Sequence, residues 1–178
     1  MHENIETLYI GKVVQFSTLT PPILLPKNIK NLIIGKSAFS GCESIENLDL
    51  SSYEKLKSII IDNNAFYKST IKSVIFPKNV YSLTIQEDAF RCCDHFETLD
   101  LSLANQLRSI SISNHTFFSL NRTLKLVTIP KSVTELELFE SSFYFDCKVL
   151  VPERFKEQLS DLSRPIYKIE YYKSESDS

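Results

Sequence analysis

The sequence predicts a repeat solenoid built mainly from short parallel β-strands, and three observations predict it. The tripeptides Pro26-Lys27-Asn28, Pro77-Lys78-Asn79 and Pro130-Lys131-Ser132 begin similar segments that are 51 and 53 residues apart. Between them a phenylalanine preceded by Ala, Thr or Ser recurs every 24 to 27 residues, at Phe39, Phe66, Phe90, Phe117 and Phe143. Apolar residues also recur at positions 1, 4 and 6 of short segments on both sides of these phenylalanines. The repeat unit therefore has about 26 residues.

The 1-4-6 pattern predicts strands, because a helical stripe would continue at positions 5 and 8 whereas positions 4 and 6 alternate as in a strand. Before the phenylalanines it reads Ile29/Leu32/Ile34, Leu56/Ile59/Ile61, Val80/Leu83/Ile85, Leu107/Ile110/Ile112 and Val133/Leu136/Leu138. After them it reads Ile45/Leu48/Leu50, Ile71/Val74/Phe76, Phe96/Leu99/Leu101 and Leu124/Val127/Ile129, and Ile5/Leu8/Ile10 opens the chain. We expect each coil to give one strand to each of two ribbons that face each other across an apolar core. The phenylalanine should fill the bend between them.

The predicted coils form a single domain over residues 1–172, at about 5–28, 29–55, 56–79, 80–106, 107–132 and 133–151, with a cap at 152–172. At the carboxyl end Pro152 is expected to open a helix whose apolar stripe is Phe155, Leu159 and Leu162, and Ile166 to Tyr172 to add a strand. Residues 173–178 are expected to be a disordered tail. The amino end has no such cover. We expect either Lys12–Pro22 to fold back over it or this end to self-associate.

Composition excludes several classes of protein. The 178 residues carry 20 Lys and Arg against 22 Asp and Glu, and a net charge of −2 argues against bulk nucleic-acid binding. A hydrophobic content of 43% excludes general disorder, and no apolar run approaches the roughly 20 residues of a membrane span. With only three glycines, Gly11, Gly35 and Gly41, a glycine-rich phosphate loop is not expected. Corners built from Asn, Ser, Lys and Pro explain the shortage. No secretory signal is visible at the amino end.

The cysteines and histidines do not predict catalysis. Cys42 and Cys93 occupy the same repeat position two coils apart, and Cys147 lies near it two coils further on. Two rungs of about 4.8 Å separate them by about 10 Å, whereas a disulfide needs Cα atoms within about 7 Å. We therefore expect buried free thiols, with Cys92 pointing outwards. No nucleophile, metal-ligand or phosphate-loop motif is present, so we expect no enzyme activity, cofactor or metal.

The first candidate ligand face lies on the post-phenylalanine ribbon. The residue after the first apolar position alternates in charge along successive coils, as Glu46, Lys72, Glu97 and Lys125. Neighbouring rungs are close enough to pair, which would stabilise the register by perhaps 0.2–1 kcal/mol a pair. Asp49 and Asp100 have no basic neighbour, being flanked by Ile75 and Thr128. The first face therefore consists of Tyr9, Asp49, Lys72, Asp100 and Lys125.

The second candidate face is the row that precedes the pre-phenylalanine strands, Lys30, Lys57, Tyr81 and Arg108, which ends at Thr134. Three bases and a tyrosine in one row would attract an acidic protein or glycan. A solvated surface without a ligand is the alternative for both faces.

Two segments carry a family resemblance. Ala38-Phe39-Ser40-Gly41-Cys42, followed by Ile45 to Leu50, resembles the repeat of BspA-type leucine-rich-repeat proteins, and Ala89 to Cys93 with Phe96 to Leu101 matches again. Lys148 to Pro152 and Phe155 to Leu162 resemble the terminal strand and capping helix of that family. The resemblance covers about residues 5–172. The second and fourth coils depart from it, with Ser69 and Leu120 in place of cysteine. It implies the leucine-rich-repeat fold and a surface-associated binding or adhesion role.

We therefore expect a non-catalytic module that binds a protein or a glycan, without nucleic-acid partners and without a membrane span. By resemblance it belongs at the cell surface or outside the cell. The alternative is an intracellular scaffold of the same fold, since no signal sequence is visible. Asn114-His115-Thr116 and Asn121-Arg122-Thr123 are glycosylation sequons, which only a secreted chain could use.

Overall fold

The computed structural model describes residues 5–11, 24–119, 123–144, 146–162, 165 and 167–173. They form a parallel β-solenoid of about five turns with one short helix at the carboxyl end, as predicted. The strands are β1 (Thr7–Ile10), β2 (Asn31–Ile34), β3 (Asn47–Asp49), β4 (Ser58–Ile61), β5 (Ser73–Ile75), β6 (Ser82–Ile85), β7 (Thr98–Asp100), β8 (Ser109–Ile112), β9 (Leu126–Thr128), β10 (Glu135–Leu138), β11 (Lys148–Pro152) and β12 (Lys168–Tyr172). Each full turn gives one strand to each of two ribbons.

The first ribbon is a six-stranded parallel sheet in the order β1-β2-β4-β6-β8-β10. Its register aligns the predicted apolar columns. Ile34 pairs with Ile61, and Ile61 pairs with Ile85. Inward and outward residues alternate along each strand, so that the second and fourth positions of β2, β4, β6 and β8 are buried. The 1-4-6 pattern therefore marks the side chains that stack inside the solenoid.

The phenylalanine of each turn lies at the bend between the ribbons, as predicted. Phe39, Phe66, Phe90, Phe117 and Phe143 form one continuous stack. Their successive ring centroids are 5.1 to 5.3 Å apart, and the rings are within 18° of parallel. Offset stacks of this kind contribute beyond the apolar area that they bury. The stack therefore ties neighbouring turns together along the whole corner.

The second ribbon is divided into two sheets, unlike the first. It consists of two three-stranded sheets, β3-β5-β7 and β9-β11-β12, and no strand pairing joins β7 to β9. Six residues lead from Phe90 to Phe96 in one turn, but seven lead from Phe117 to Leu124 in the next. The Thr123 hydroxyl donates to the Phe96 carbonyl at 2.5 Å. The break in strand pairing coincides with this longer segment and this side-chain bond.

The phenylalanine corners explain why the chain contains so little glycine. Backbone with positive φ recurs at these corners. Among the described residues that adopt it only Gly41 is a glycine, and the others are Ser37, Asn64, Lys68, Asp88, Cys92 and His115. Asn64 confirms the expected use of asparagine, whereas Lys68 and Cys92 carry side chains that tolerate this conformation poorly. Strained backbone of this kind costs of the order of 1 kcal/mol a residue. The stacked turns stabilise these corners despite that cost.

The carboxyl-terminal cap covers the last turn, although its helix is shorter than predicted. A 3₁₀ turn at Glu153–Phe155 leads into α1 (Lys156–Ser160), which buries Phe155 and Leu159. The Gln158 side-chain amide donates to the Leu136 carbonyl on the free edge of β10. Leu162 is only partly buried and lies beyond the helix. Strand β12 confirms the expected final strand, beginning at Lys168.

Several expectations concern residues outside the part of the chain that the structure describes. They are the covering role of Lys12–Pro22, the tail after Lys173, Ile166 and the repeat position of Leu120. Self-association through the amino end stays a prediction.

All four cysteines are free thiols, as their spacing predicts. Cys93 and Cys147 are buried as expected, but the expected burial of Cys42 is wrong, because it is half-buried like Cys92. Cys92 has a φ of 57°, in the left-handed region of backbone conformation. The Cys93 thiol donates to the Phe66 carbonyl at 2.8 Å and lies 3.5 Å from the Ser69 hydroxyl, so serine and cysteine of neighbouring turns form one buried polar contact.

Burial makes the fold sensitive to alkali through these thiols. It raises the pKa of Cys93 from 9.0 to about 11 and that of Cys147 to about 12. The unfolded chain therefore releases these protons first, and stability is expected to fall as the pH rises from 9 towards 12.

In DTNB titrations at pH 8 we expect Cys42 and Cys92 to react quickly and the buried pair only on unfolding. Four equally fast thiols would contradict this.

Candidate functional site

Tyr9 does not lie with the rest of the first candidate face, and grouping it there is wrong. It is on β1 in the first ribbon, whereas Asp49 and Asp100 end strands of the second ribbon. The Tyr9 side chain is 60% exposed and its ring lies across Gly35. A Cβ at Gly35 would come within 2.2 Å of the phenol oxygen, so a larger residue there would displace the exposed Tyr9 ring. Tyr9 is therefore an exposed aromatic ring at the amino end of the other sheet.

Asp49 and Asp100 occupy equivalent positions two turns apart, with Ile75 between them in register. Each carboxylate accepts a hydrogen bond at 2.9 Å from the backbone N–H two residues on, Ser51 for Asp49 and Ser102 for Asp100. This is the Asx turn that aspartate forms where a chain leaves a strand. The geometry assigns both carboxylates a role in ending a strand, which sequence reasoning did not include.

The two lysines of the first face have acidic partners. Lys72 lies 2.8 Å from Glu46 on the preceding rung, which confirms that half of the charge alternation. Lys125 instead lies 3.6 Å from Asp146, and no ion pair joins Glu97 to Lys125. The expected second pair fails because β7 and β9 are not paired. Four of the five residues thus lie on the second ribbon, each with a partner within the chain, whereas Tyr9 lies on the first ribbon.

The second candidate face forms one continuous row. Backbone hydrogen bonds link its members rung by rung: Lys57 N–H to Lys30 at 2.7 Å, Tyr81 N–H to Lys57 at 2.7 Å and Arg108 N–H to Tyr81 at 2.9 Å. Lys30 forms a 2.6 Å ion pair with Glu6, and Arg108 donates to the Ser132 carbonyl at 2.8 Å. Lys57 is exposed and has no ion pair with any described residue, and Tyr81 is 56% exposed. Both side chains are therefore available to a partner.

The row belongs to a larger basic surface that sequence reasoning missed. We call the corner formed by residues 26–30, 53–57, 77–81, 104–108 and 130–134 the basic corner. It holds seven of the chain's 20 basic residues but, in Glu54, only one of its 22 acidic ones. Its bases are Lys27, Lys30, Lys55, Lys57, Lys78, Arg108 and Lys131. The signal was present in the Pro-Lys tripeptides, which mark this corner in alternate turns.

The first sequon has a structural role in the fold. The Asn114 side-chain oxygen accepts from the Ser141 hydroxyl at 2.8 Å on the next turn. Thr116 is fully buried and donates to the Ser113 carbonyl at 2.8 Å. The side chains of this triplet therefore connect neighbouring turns of the solenoid. Part of the second sequon, Asn121 and Arg122, lies outside the described residues.

Comparison with known proteins places this architecture. A family model described as BspA type leucine-rich repeat region matches residues 15–151 in six copies. Searches of the curated proteins and of the solved structures gave no match. No helix in the described part of the chain is long and apolar enough to cross a membrane. The described residues also contain no group of three or more His, Cys, Asp or Glu side chains placed to hold a metal.

Proposed function

Because the chain belongs to the BspA-type leucine-rich-repeat family, whose repeats are in general non-catalytic binding scaffolds, we propose that it binds an acidic partner, protein or glycan, on its basic corner. The observation that carries this proposal is the excess of seven bases over one acid in a chain whose net charge is −2. A surface that only contacts solvent does not require basic residues to be concentrated on one corner and acidic residues to be kept away from it. Concentrating one sign of charge on one corner raises the local density of an oppositely charged ligand.

The spacing of the corner allows its charges to act together. Successive rungs are about 4.8 Å apart, so Lys57 and Arg108, with Tyr81 between them, are separated by about 10 Å. That distance is close to the Debye length of about 8 Å at physiological salt, and the neighbouring lysines are nearer still. Tyr81 offers an aromatic surface between the two cations. An extended acidic ligand lying along the solenoid axis would meet a base on nearly every turn.

The adjoining face of the first ribbon does not obstruct a ligand. Its outward positions beside the corner are small hydroxyl side chains, Ser58, Ser82 and Ser109, and the first two are hydrogen-bonded to each other at 3.0 Å. Side chains of this size leave the longer bases of the corner free to reach a bound partner. At the carboxyl end, Glu135 and Glu137 make the same face acidic, which limits the attractive surface to the earlier turns.

The proposal predicts a charge-specific loss of binding. Acidic peptides and sulfated oligosaccharides are the probes, measured by fluorescence anisotropy at several salt concentrations. The double variant Lys57→Gln/Arg108→Gln should weaken binding about tenfold, since each exposed ion pair contributes about 0.2–1 kcal/mol and two are lost. Affinity should also fall as salt rises.

The matched control is Lys72→Gln/Lys125→Gln, which removes the same charge from the second ribbon. It should change affinity less than twofold, because general electrostatics falls off within about a Debye length. Equal losses in the two double variants would reduce the effect to net charge and contradict a site at the basic corner.

On the family resemblance alone, we propose that the module acts at the cell surface in adhesion or recognition. Labelling of intact cells with a membrane-impermeant amine reagent tests this location, because the exposed lysines of the basic corner would react. Labelling only after lysis would favour the intracellular scaffold instead.

A further inference from the structure

A cleft of about 550 Å³ opens where the second ribbon is interrupted. One wall comes from β7 and the turn after it, the other from β9 and the segment that follows it, and Tyr172 lies at its end. Its most apolar lining residues are Leu99, Leu101, Leu126, Pro130 and Tyr172. A volume of this size is within the range of ligand sites in proteins.

The cleft is a surface groove between β7 and β9, and the outward residues Thr98, Asp100, Leu126 and Thr128 line it. Leu99 and Leu101 are buried members of the core columns, whereas Leu126 is 51% exposed at the mouth. Tyr172 is held in place because its hydroxyl donates to the Ile129 carbonyl at 2.6 Å. In the regular turns, strand pairing closes this space, as between β5 and β7. The cleft therefore follows directly from the loss of pairing between β7 and β9.

The cleft adjoins the basic corner. Arg108, the last base of the row, donates from its guanidinium to the carbonyl of Ser132, and Ser132 lines the cleft. Lys131 also lines it, and its side chain has no ion pair with a described residue. Two cations thus border the cleft, and Asp100, whose carboxylate accepts from the Ser102 N–H, also lines it. This combination suits a ligand in which an apolar group lies beside negative charge.

We propose that the cleft receives a large apolar side chain of an acidic peptide whose carboxylates lie on the basic corner. This inference rests on the proposed function and selects a protein partner over a glycan, because a sulfated saccharide supplies the charge but no apolar side chain. Leu126, Pro130 and Tyr172 would contact the inserted side chain, and Arg108 and Lys131 would face the flanking carboxylates. Apolar anchors in preformed pockets dominate the affinity of many protein interfaces.

Labelled peptides with four glutamates on each side of one central residue test the proposal by fluorescence anisotropy. The peptide with a central phenylalanine should bind wild type about tenfold more tightly than the one with a central serine, as burial of part of an aromatic side chain predicts. Leu126→Gln should remove most of that difference. Leu103→Gln is the matched control, because Leu103 is 44% exposed in the turn after β7 but does not line the cleft.

Each result decides one question. Equal affinities for the two peptides, or equal effects of Leu126→Gln and Leu103→Gln, would overturn the anchor cleft. Binding of a sulfated oligosaccharide that depends on Lys57 and Arg108, with no binding of either peptide, would overturn it as well and identify a glycan ligand. In both cases the proposed binding at the basic corner stands. That proposal is contradicted if Lys57→Gln/Arg108→Gln leaves the affinity for every probe unchanged. Circular dichroism of each variant verifies that the fold is intact.

Discussion

Replacing Phe90 by alanine is expected to lower the free energy of unfolding by about 4 kcal/mol, the largest single-residue effect that we predict. The Phe90 side chain is 1% exposed and lies in the middle of the phenylalanine stack. Its ring centroid is 5.1 Å from that of Phe66, 5.3 Å from that of Phe117 and 4.7 Å from that of Phe96. Truncation would remove three aromatic contacts and leave a cavity between the neighbouring turns. The turns cannot move together to fill that cavity, because such a movement would break the pairing of their strands.

Urea denaturation followed by circular dichroism measures this effect. Tyr81→Ala, which removes an exposed ring of similar size on the same turn, should cost less than about 1 kcal/mol. Phe90→Leu keeps most of the volume and should cost about half as much as Phe90→Ala, so that a measurable variant exists if the alanine protein does not fold. A loss below 1 kcal/mol for Phe90→Ala would mean that the stack fills space without holding the turns together.

The sequence predicted the first ribbon almost completely, because a solenoid repeats one local solution. Leu32, Ile59 and Leu83 are each placed by the same constraint, a parallel partner one rung away on either side. Errors in one copy are corrected by the others. The Phe corner follows for the same reason, since every turn must fill the same bend. Periodicity therefore determines both register and burial wherever the repeat is regular.

The interruption of the second ribbon could not be predicted in the same way. One additional residue between Phe117 and Leu124 leaves the 1-4-6 pattern intact, and the pattern does not report whether neighbouring strands are hydrogen-bonded. The bond from Thr123 to the Phe96 carbonyl depends on three-dimensional placement. The cleft therefore arises where one turn differs from the others. An interpretation that relies on the repeat period describes what the turns share and does not predict such a difference.

In the candidate site, too, the periodic features were predictable from the sequence and the local ones were not. The row of Lys30, Lys57, Tyr81 and Arg108 was found because it is periodic, and the structure keeps it aligned. Asp49 and Asp100 are periodic too, but their Asx turns involve the backbone of the following corner, which a comparison of side chains between turns does not include. Tyr9 was assigned to the wrong ribbon because no phenylalanine precedes it to mark its position in the repeat. Periodic position alone does not distinguish a binding residue from a turn former.

Tyr167 terminates the phenylalanine stack at the carboxyl end, and its ring lies 5.1 Å from that of Phe143 at an angle of 74°. The side chain is 4% exposed, and its hydroxyl donates to the Phe139 carbonyl at 2.9 Å. Burial raises the pKa of this phenol, which is consistent with a hydroxyl that stays protonated in the folded chain.

We expect Tyr167→Ala to cost about 3 kcal/mol in urea denaturation, because it uncovers Phe143 and empties the space beneath the cap. Tyr167→Phe keeps the ring and loses one hydrogen bond, so it should cost only about 1 kcal/mol. An uncovered solenoid end also exposes apolar columns to other molecules. The alanine variant should therefore show a rising mass with concentration in light scattering, measured relative to wild type, while the phenylalanine variant should match wild type. Equal behaviour of the two variants would show that the cap holds without this ring, and that the bond from Gln158 to the β10 edge is sufficient to close the solenoid.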